Sequence, residues 1–216
     1  QTKGVELRDL SVMNGKQGVT IEQSTDCRLT RVISQDNSTT GFDINESERT
    51  IMRHSVSFNN PSNGVLVRAG TFPSTLQADG LVVWGSTYAV HMGNLASASF
   101  SNCSFSVAGG ESRIFLSQNT AGPILSDYNH FHRTSSALVA EKINVNAGND
   151  IYGRLIEWQR GLTQDLHTVS ADPLFADPGN GDFHPQSGTG RYLDDGSFVQ
   201  DLGVFSPLLD AGSPLS

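Results

Sequence analysis

Lysine is scarce in this chain: three residues in 216, Lys3, Lys16 and Lys142, against a formal net charge of −8. A surface so poor in cations repels a phosphate backbone or an anionic bilayer on average, so neither nucleic acid nor membrane is expected as a partner. No stretch approaches the ~20 consecutive apolar residues of a membrane span. Charged residues of both signs make up only 17% of the chain, which suits a turn-rich, strand-rich body covered by Ser, Thr and Asn rather than a helical bundle. Cysteine is nearly absent too, with only Cys27 and Cys103. Three stacked strands at ~4.8 Å per step put them roughly 14 Å apart, beyond the ~7 Å Cα reach of a disulfide. Two free, packed thiols are expected, and they report nothing about the compartment.

Glycine is abundant, with 22 residues, and it recurs in a pattern. Gly18-Val-Thr-Ile, Gly41-Phe-Asp-Ile and Gly64-Val-Leu-Val follow one another at intervals of 23 residues. A fixed period in this range marks stacked repeats, none of which can bury its apolar face alone. Val19 and Ile21 point inward in the first repeat, and Phe42 and Ile44 in the second. Leu29 and Met52 hold equivalent places, as do Asn37 and Asn60. An Asn at a fixed corner tolerates the left-handed backbone and can bond to the Asn above it. The third repeat carries an insertion over Ala69–Leu76, and later repeats drift to about 24 or 25 residues, as loop variation between rungs permits. We expect a single domain: about six coils over residues 5–143 and an irregular cap over 144–216. The first residues already resemble half a coil, so the domain is expected to belong to a longer chain. Within the cap, Tyr152–Arg160 places Leu155, Ile156 and Trp158 near helical spacing, with Trp158 in the cap's core. The Pro-, Gly- and Asp-rich tail after Asp172 covers the last rung.

These coils resemble the right-handed parallel β-helix of the pectate-lyase-like superfamily, an all-β solenoid. The run Trp158-Gln, Asp165-Leu-His-Thr, Asp172-Pro-Leu-Phe, Gly181-Asp-Phe-His and Ser206-Pro-Leu-Leu-Asp-Ala-Gly212 is similar to the closing segment of many bacterial secreted β-helix proteins. The resemblance implies a secreted or cell-surface bacterial protein acting on or binding polysaccharide. Polysaccharide lyases, glycoside hydrolases and non-catalytic binding modules share the scaffold, and fold does not choose among them.

Stacking at 23 or 24 residues places Glu22, Asn45, Arg68, His91 and Phe115 in one outward row. Its neighbour contains Thr20, Asp43, Leu66, Ala89 and Arg113. A polar row ending in an aromatic could follow successive sugars, since hydroxyls need paired donors and acceptors and ring faces need a flat apolar partner. An ordinary solvated face reads the same way. Trp84 and Tyr88 flank one corner after the insertion and join Asp43, Asn45, Arg68, His91 and Phe115 as carbohydrate-binding candidates. Lyase chemistry would need a base beside a group that neutralises a uronate, and Arg68 with His91 near Asp43 and Asp79 comes nearest. Hydrolysis would need two close carboxylates, and Asn45 stands where a third member of a Glu22–Asp43 cluster would be. No catalytic residue and no metal ligand is assigned.

The acidic turns Asp172, Asp177, Asp182, Asp194 and Asp195 offer oxygens of the kind Ca²⁺ takes, yet no EF-hand-type loop is present and Asp before Pro or Gly is the ordinary turn residue. No cofactor is therefore expected, with Ca²⁺ as the alternative. His130-Phe-His132 lacks a third ligand in sequence and reads as surface polar. The expectation is a monomeric binding module, tethered to a catalytic domain, that holds a plant cell-wall polysaccharide without cleaving it. The negative charge favours a neutral chain such as xylan. The resemblance extends to β-helical xylan-binding modules, and a lyase or hydrolase of the β-helix type is the alternative.

Overall fold

In a computed structural model of the chain, residues 2–118, 121–134, 136–144, 147–193 and 195–213 are described. Each turn of backbone contributes strand segments that pair in parallel with the turns before and after it, giving a β-solenoid of about six turns. One sheet stacks Gln17–Glu22, Thr40–Asn45, Asn63–Arg68, Tyr88–Met92, Arg113–Gln118 and Leu138–Ile143, and Asp150–Tyr152 closes it as an antiparallel seventh strand. The other, of ten strands, is folded along its length. Glu6–Met13 and Arg28–Gln35 run through the fold unbroken, whereas later turns split there into pairs such as Thr50–Arg53 and Val56–Phe58. Asp9, Arg31, His54, Gly80, Asn102 and Tyr128 stack along the bend, all with positive φ. The tight bend demands the left-handed conformation that Gly, Asn and Asp accept most readily.

The glycine column explains why the repeat is legible. A Cβ on Gly41 would stand 2.2 Å from Ser57 Oγ and 2.8 Å from Asn60 Nδ2. Glycine is required because the adjoining corner is filled by buried polar side chains. Asn37 Nδ2 donates to Ser34 Oγ and to Asn60 Oδ1, and Asn60 Nδ2 donates to Ser57 Oγ and the Ser34 carbonyl. After two turns the filling changes. Val83, Phe105 and Phe131 follow Ser34 and Ser57 in one column, and Ala89 stacks beside Gly64. From there Phe100, Phe105, Phe115 and Phe131 pack edge to face or tilted, with centroids 5.5–6.0 Å apart. Such geometry suits the aromatic quadrupole.

Helix α1 (Leu155–Leu162) lies where the spacing of Leu155, Ile156 and Trp158 predicts it, and Trp158 is buried against Phe115. Beyond it, Val169 extends the folded sheet by one more rung over His130. The tail then runs across the outer face of the second blade, where Phe58 and Trp84 meet Phe175 and Phe183. Cys27 and Cys103 are free and buried, and burial pushes the Cys103 thiol up to about 12. No described helix is long and apolar enough to cross a membrane.

The pair His130 and His132 corrects a sequence expectation. Both project outward, but His132 stacks on Trp84 and the tail covers His130, which is only 2% exposed. Its Nδ1 accepts from Ser104 Oγ, and its Nε2–H donates to the Ala171 carbonyl. Burial pushes its pKa down to about 4 from an ordinary 6.5. Above pH 6.5 the ring is neutral in both folded and unfolded chains. As pH falls from 6.5 to 4 only the unfolded chain takes up a proton, so roughly 3 kcal/mol of stability should be lost across that window. Urea unfolding at a series of pH values checks this. His130→Gln should remove most of the slope, and an unchanged slope would assign it to other groups.

Candidate functional site

The outer face of the seven-stranded sheet holds most of the residues that the sequence singles out. Asp43 is fully buried beneath Arg68, which grips it with two bonds, Nε to Oδ1 at 3.0 Å and NH2 to Oδ2 at 2.9 Å. Gln17 Nε2 adds a third donor at 2.9 Å. The bond to Asp43 raises the Arg68 pKa further. Asn45 donates to Glu22 Oε1, and Glu46 accepts from Gln23 and from the backbone of Thr71, which pins the insertion against this face. Asp43, Asn45 and Arg68 are thus brought together as the sequence suggests, but each is occupied with a neighbour.

His91 and Phe115 lie elsewhere than the simple spacing implies. Asn45 pairs with Arg68 at 23 residues, whereas the next strand pairs at 25, so that Leu66 stacks on His91. His91 therefore belongs to the row of Thr20, Asp43 and Leu66. Its Nδ1–H donates to Asn63 Oδ1, burial lowers its pKa, and its ring meets Tyr88 edge-on at 5.8 Å. Phe115 pairs with Val90 and Ala140 and is 1% exposed in the core. A one-residue error in period moves a side chain to the opposite face of a strand, and this corrects Phe115 from groove to interior. Trp84 is also displaced: it lies on the second blade, stacked on His132 at 5.9 Å and packed edge-on against Phe175. It anchors the tail, while Tyr88 remains on the seven-stranded sheet.

The first blade of the folded sheet, formed by the strands before the bend and passed over by the sequence reading, carries a long trough that among the described residues only Ser213 of the tail borders. Three adjoining depressions of about 480, 380 and 300 Å³ share Ile51 and, pairwise, Arg28, Gln77 and Arg53. Their floor is built by two outward rows. The first stacks Glu6, Arg28, Ile51, Gln77, Ser99 and Leu125, and the second stacks Arg8, Thr30, Arg53, Asp79, Ser101 and Asp127. Six strands at ~4.8 Å per step give a length of roughly 24 Å. One wall is the ion pair Arg49–Asp26 with Thr75 and Pro123, and the other is the bend at His54 and Asn102. Asp79 accepts from Ser101 Oγ and Asn102 Nδ2. By contrast, the side chains of Thr30, Gln77 and Ser99 have no hydrogen-bond partner among the described residues, and Ile51 and Leu125 present apolar surface between them. Parity along each strand could have flagged these positions, since Leu29 and Met52 inside put Arg28, Thr30, Ile51 and Arg53 outside.

Among the described residues no group of three or more His, Cys, Asp or Glu converges as a metal site would require. Of the acidic tail residues, Asp194 lies outside the described part. Asp172, Asp177, Asp182 and Asp195 each bond a nearby backbone or side-chain donor in a turn. No family model, curated protein or solved structure matches the chain. What is shown is the architecture: a parallel β-solenoid of about six turns.

Proposed function

We propose that the protein is a carbohydrate-binding module that holds a plant cell-wall polysaccharide, xylan first, along the trough without cleaving it. The observation that carries this reading is the contrast between the two outer faces. On the seven-stranded sheet the polar groups are bonded to each other. In the middle of the trough the hydroxyl and amide groups of Thr30, Gln77 and Ser99 have no partner among the described residues and lie beside Ile51 and Leu125, within a floor roughly 24 Å long that suits an extended chain and is far beyond a single small ligand. The module acts as one part of a longer secreted polypeptide, in keeping with the family it resembles.

Native gels containing xylan, β-glucan, pectin or alginate, run alongside assays for new reducing ends and unsaturated uronates, test the reading. Retardation by xylan without product is expected. Product formation would convert the protein into a lyase or hydrolase, and no retardation by any polymer would remove the binding function. Gln77→Ala with Ile51→Ala should weaken retardation about tenfold, as lost contacts of ~1.4 kcal/mol would. Tyr88→Ala should leave it unchanged. The reverse pattern would return the site to Tyr88 and His91 on the seven-stranded sheet.

A further inference from the structure

The arginines are not equally occupied. Of eleven in the chain, Arg8, Arg31, Arg49, Arg68, Arg113, Arg154 and Arg191 form ion pairs, and Arg133 donates to the Ala137 carbonyl. The guanidinium groups of Arg28, Arg53 and Arg160 have no hydrogen bond or ion pair among the described residues. Two of these three, Arg28 and Arg53, line the same depression of about 300 Å³ at the N-terminal end of the trough. They sit on adjacent rungs, Arg28 beside Ile51 and Arg53 beside Thr30. In a chain with net charge −8, where most arginines bond a carboxylate, two exposed guanidinium groups on one sheet face that bond none, although Glu6 shares their depression and Asp79 follows Arg53 in its row, mark a place for an anion from outside. A guanidinium offers a planar fork of donors that matches a carboxylate in two-point contact.

The same row changes sign along its length. Past Arg53 it continues through Asp79 and Ser101 to Asp127. A chain with a carboxylate on every sugar would meet repulsion at that acidic end while gaining at the basic end.

We propose that Arg28 and Arg53 read a uronate carboxylate carried as an occasional substituent on an otherwise neutral polysaccharide. This rests on the trough being the glycan-binding face. It refines the expectation of a neutral ligand, because two guanidinium groups at one end of the trough keep their donors unbonded.

The test compares a glucuronate-substituted xylan with the same polymer after its carboxyl groups are reduced to alcohols. The intact polymer should bind about tenfold more tightly in low salt, and the preference should fade as salt is raised. The double variant Arg28→Gln, Arg53→Gln should bind both polymers as the native protein binds the reduced one, with an unchanged unfolding midpoint. Arg160→Gln, on the exposed helix, should behave as native. Equal binding of both polymers by the native protein, or an undiminished preference in the double variant, overturns the proposal and leaves the trough reading standing. Binding of neither polymer overturns the trough reading itself. Polygalacturonate bound as tightly as the substituted xylan would overturn the inferred spacing of charge.

Discussion

Replacing Asn60 with alanine should cost about 3 kcal/mol of stability, from a buried backbone N–H left unpartnered at 1–3 kcal/mol and the other buried bonds lost at about 1 kcal/mol each. Asn60 Oδ1 accepts from the Asn37 backbone N–H at 3.1 Å and from Asn37 Nδ2 at 2.9 Å. Its amide nitrogen reaches the Ser34 carbonyl at 2.8 Å and Ser57 Oγ at 3.0 Å. All four bonds lie in the interior, where water cannot replace them. The Asn37 N–H would be stranded, the Ser34 carbonyl would lose its second donor, and the space beside Gly41 would be empty. Asn59→Gly is the control. Its backbone is left-handed, which glycine accepts, and its exposed side chain hydrogen-bonds only exposed Asp36, so a change of about 0.5 kcal/mol or less is expected. Urea unfolding of the two variants gives the comparison, and a loss below ~1 kcal/mol for Asn60→Ala would show that the corner does not hold the rungs together.

Removing Trp158 should have an effect of similar size at the opposite end. Its ring lies parallel to Phe115 at 5.4 Å and edge-on to Tyr152 at 5.5 Å, so it seals the aromatic core. Truncating so large a buried side chain costs about 3–5 kcal/mol. Its Nε1–H also donates at 2.8 Å to Asp165, a buried carboxyl that burial raises in pKa and that Ser126, Asn129 and Thr168 also contact. Trp158→Phe keeps most of the apolar contact and deletes that donor, so it should cost about 1–2 kcal/mol. The gap between the two variants separates packing from hydrogen bonding. Limited proteolysis locates the damage: early cleavage after residue 155 is expected, and cleavage starting in the first turns would show that Trp158 does not secure the cap.

The fold was readable where its chemistry admits few substitutes. Gly18, Gly41 and Gly64 recur because a Cβ would collide with the corner beside them, and Asn37 and Asn60 recur because they bond across turns. Later corners are filled by Val83, Phe105 and Phe131, which any apolar residue imitates, so the change of period to 25 left no mark in composition. That gap misplaced His91 by one row and put Phe115 outside the core. Trp84 was hard to place for another reason. An aromatic on an outer strand face looks the same whether it meets a sugar or Phe175 from a tail 91 residues away. His130 was misread likewise, since the Ala171 carbonyl above it comes from a segment without periodicity. The Ser-x-x-Asn pairing of the first turns appears once more at Ser126 and Asn129. There it occupies the sheet's bend instead of the earlier corner, which hid the kinship.

The equal spacing of Gly18, Gly41 and Gly64 makes the first turns interchangeable parts. Duplication of a 23-residue unit there would meet the same corner on both sides, whereas a copied later turn would need a second set of aromatic partners. The trough runs across all of these turns. Gain or loss of an early unit would therefore change the length of the trough in steps of ~4.8 Å, leaving the aromatic half and the cap as they are. The length of that face is an inheritable quantity set by counting turns.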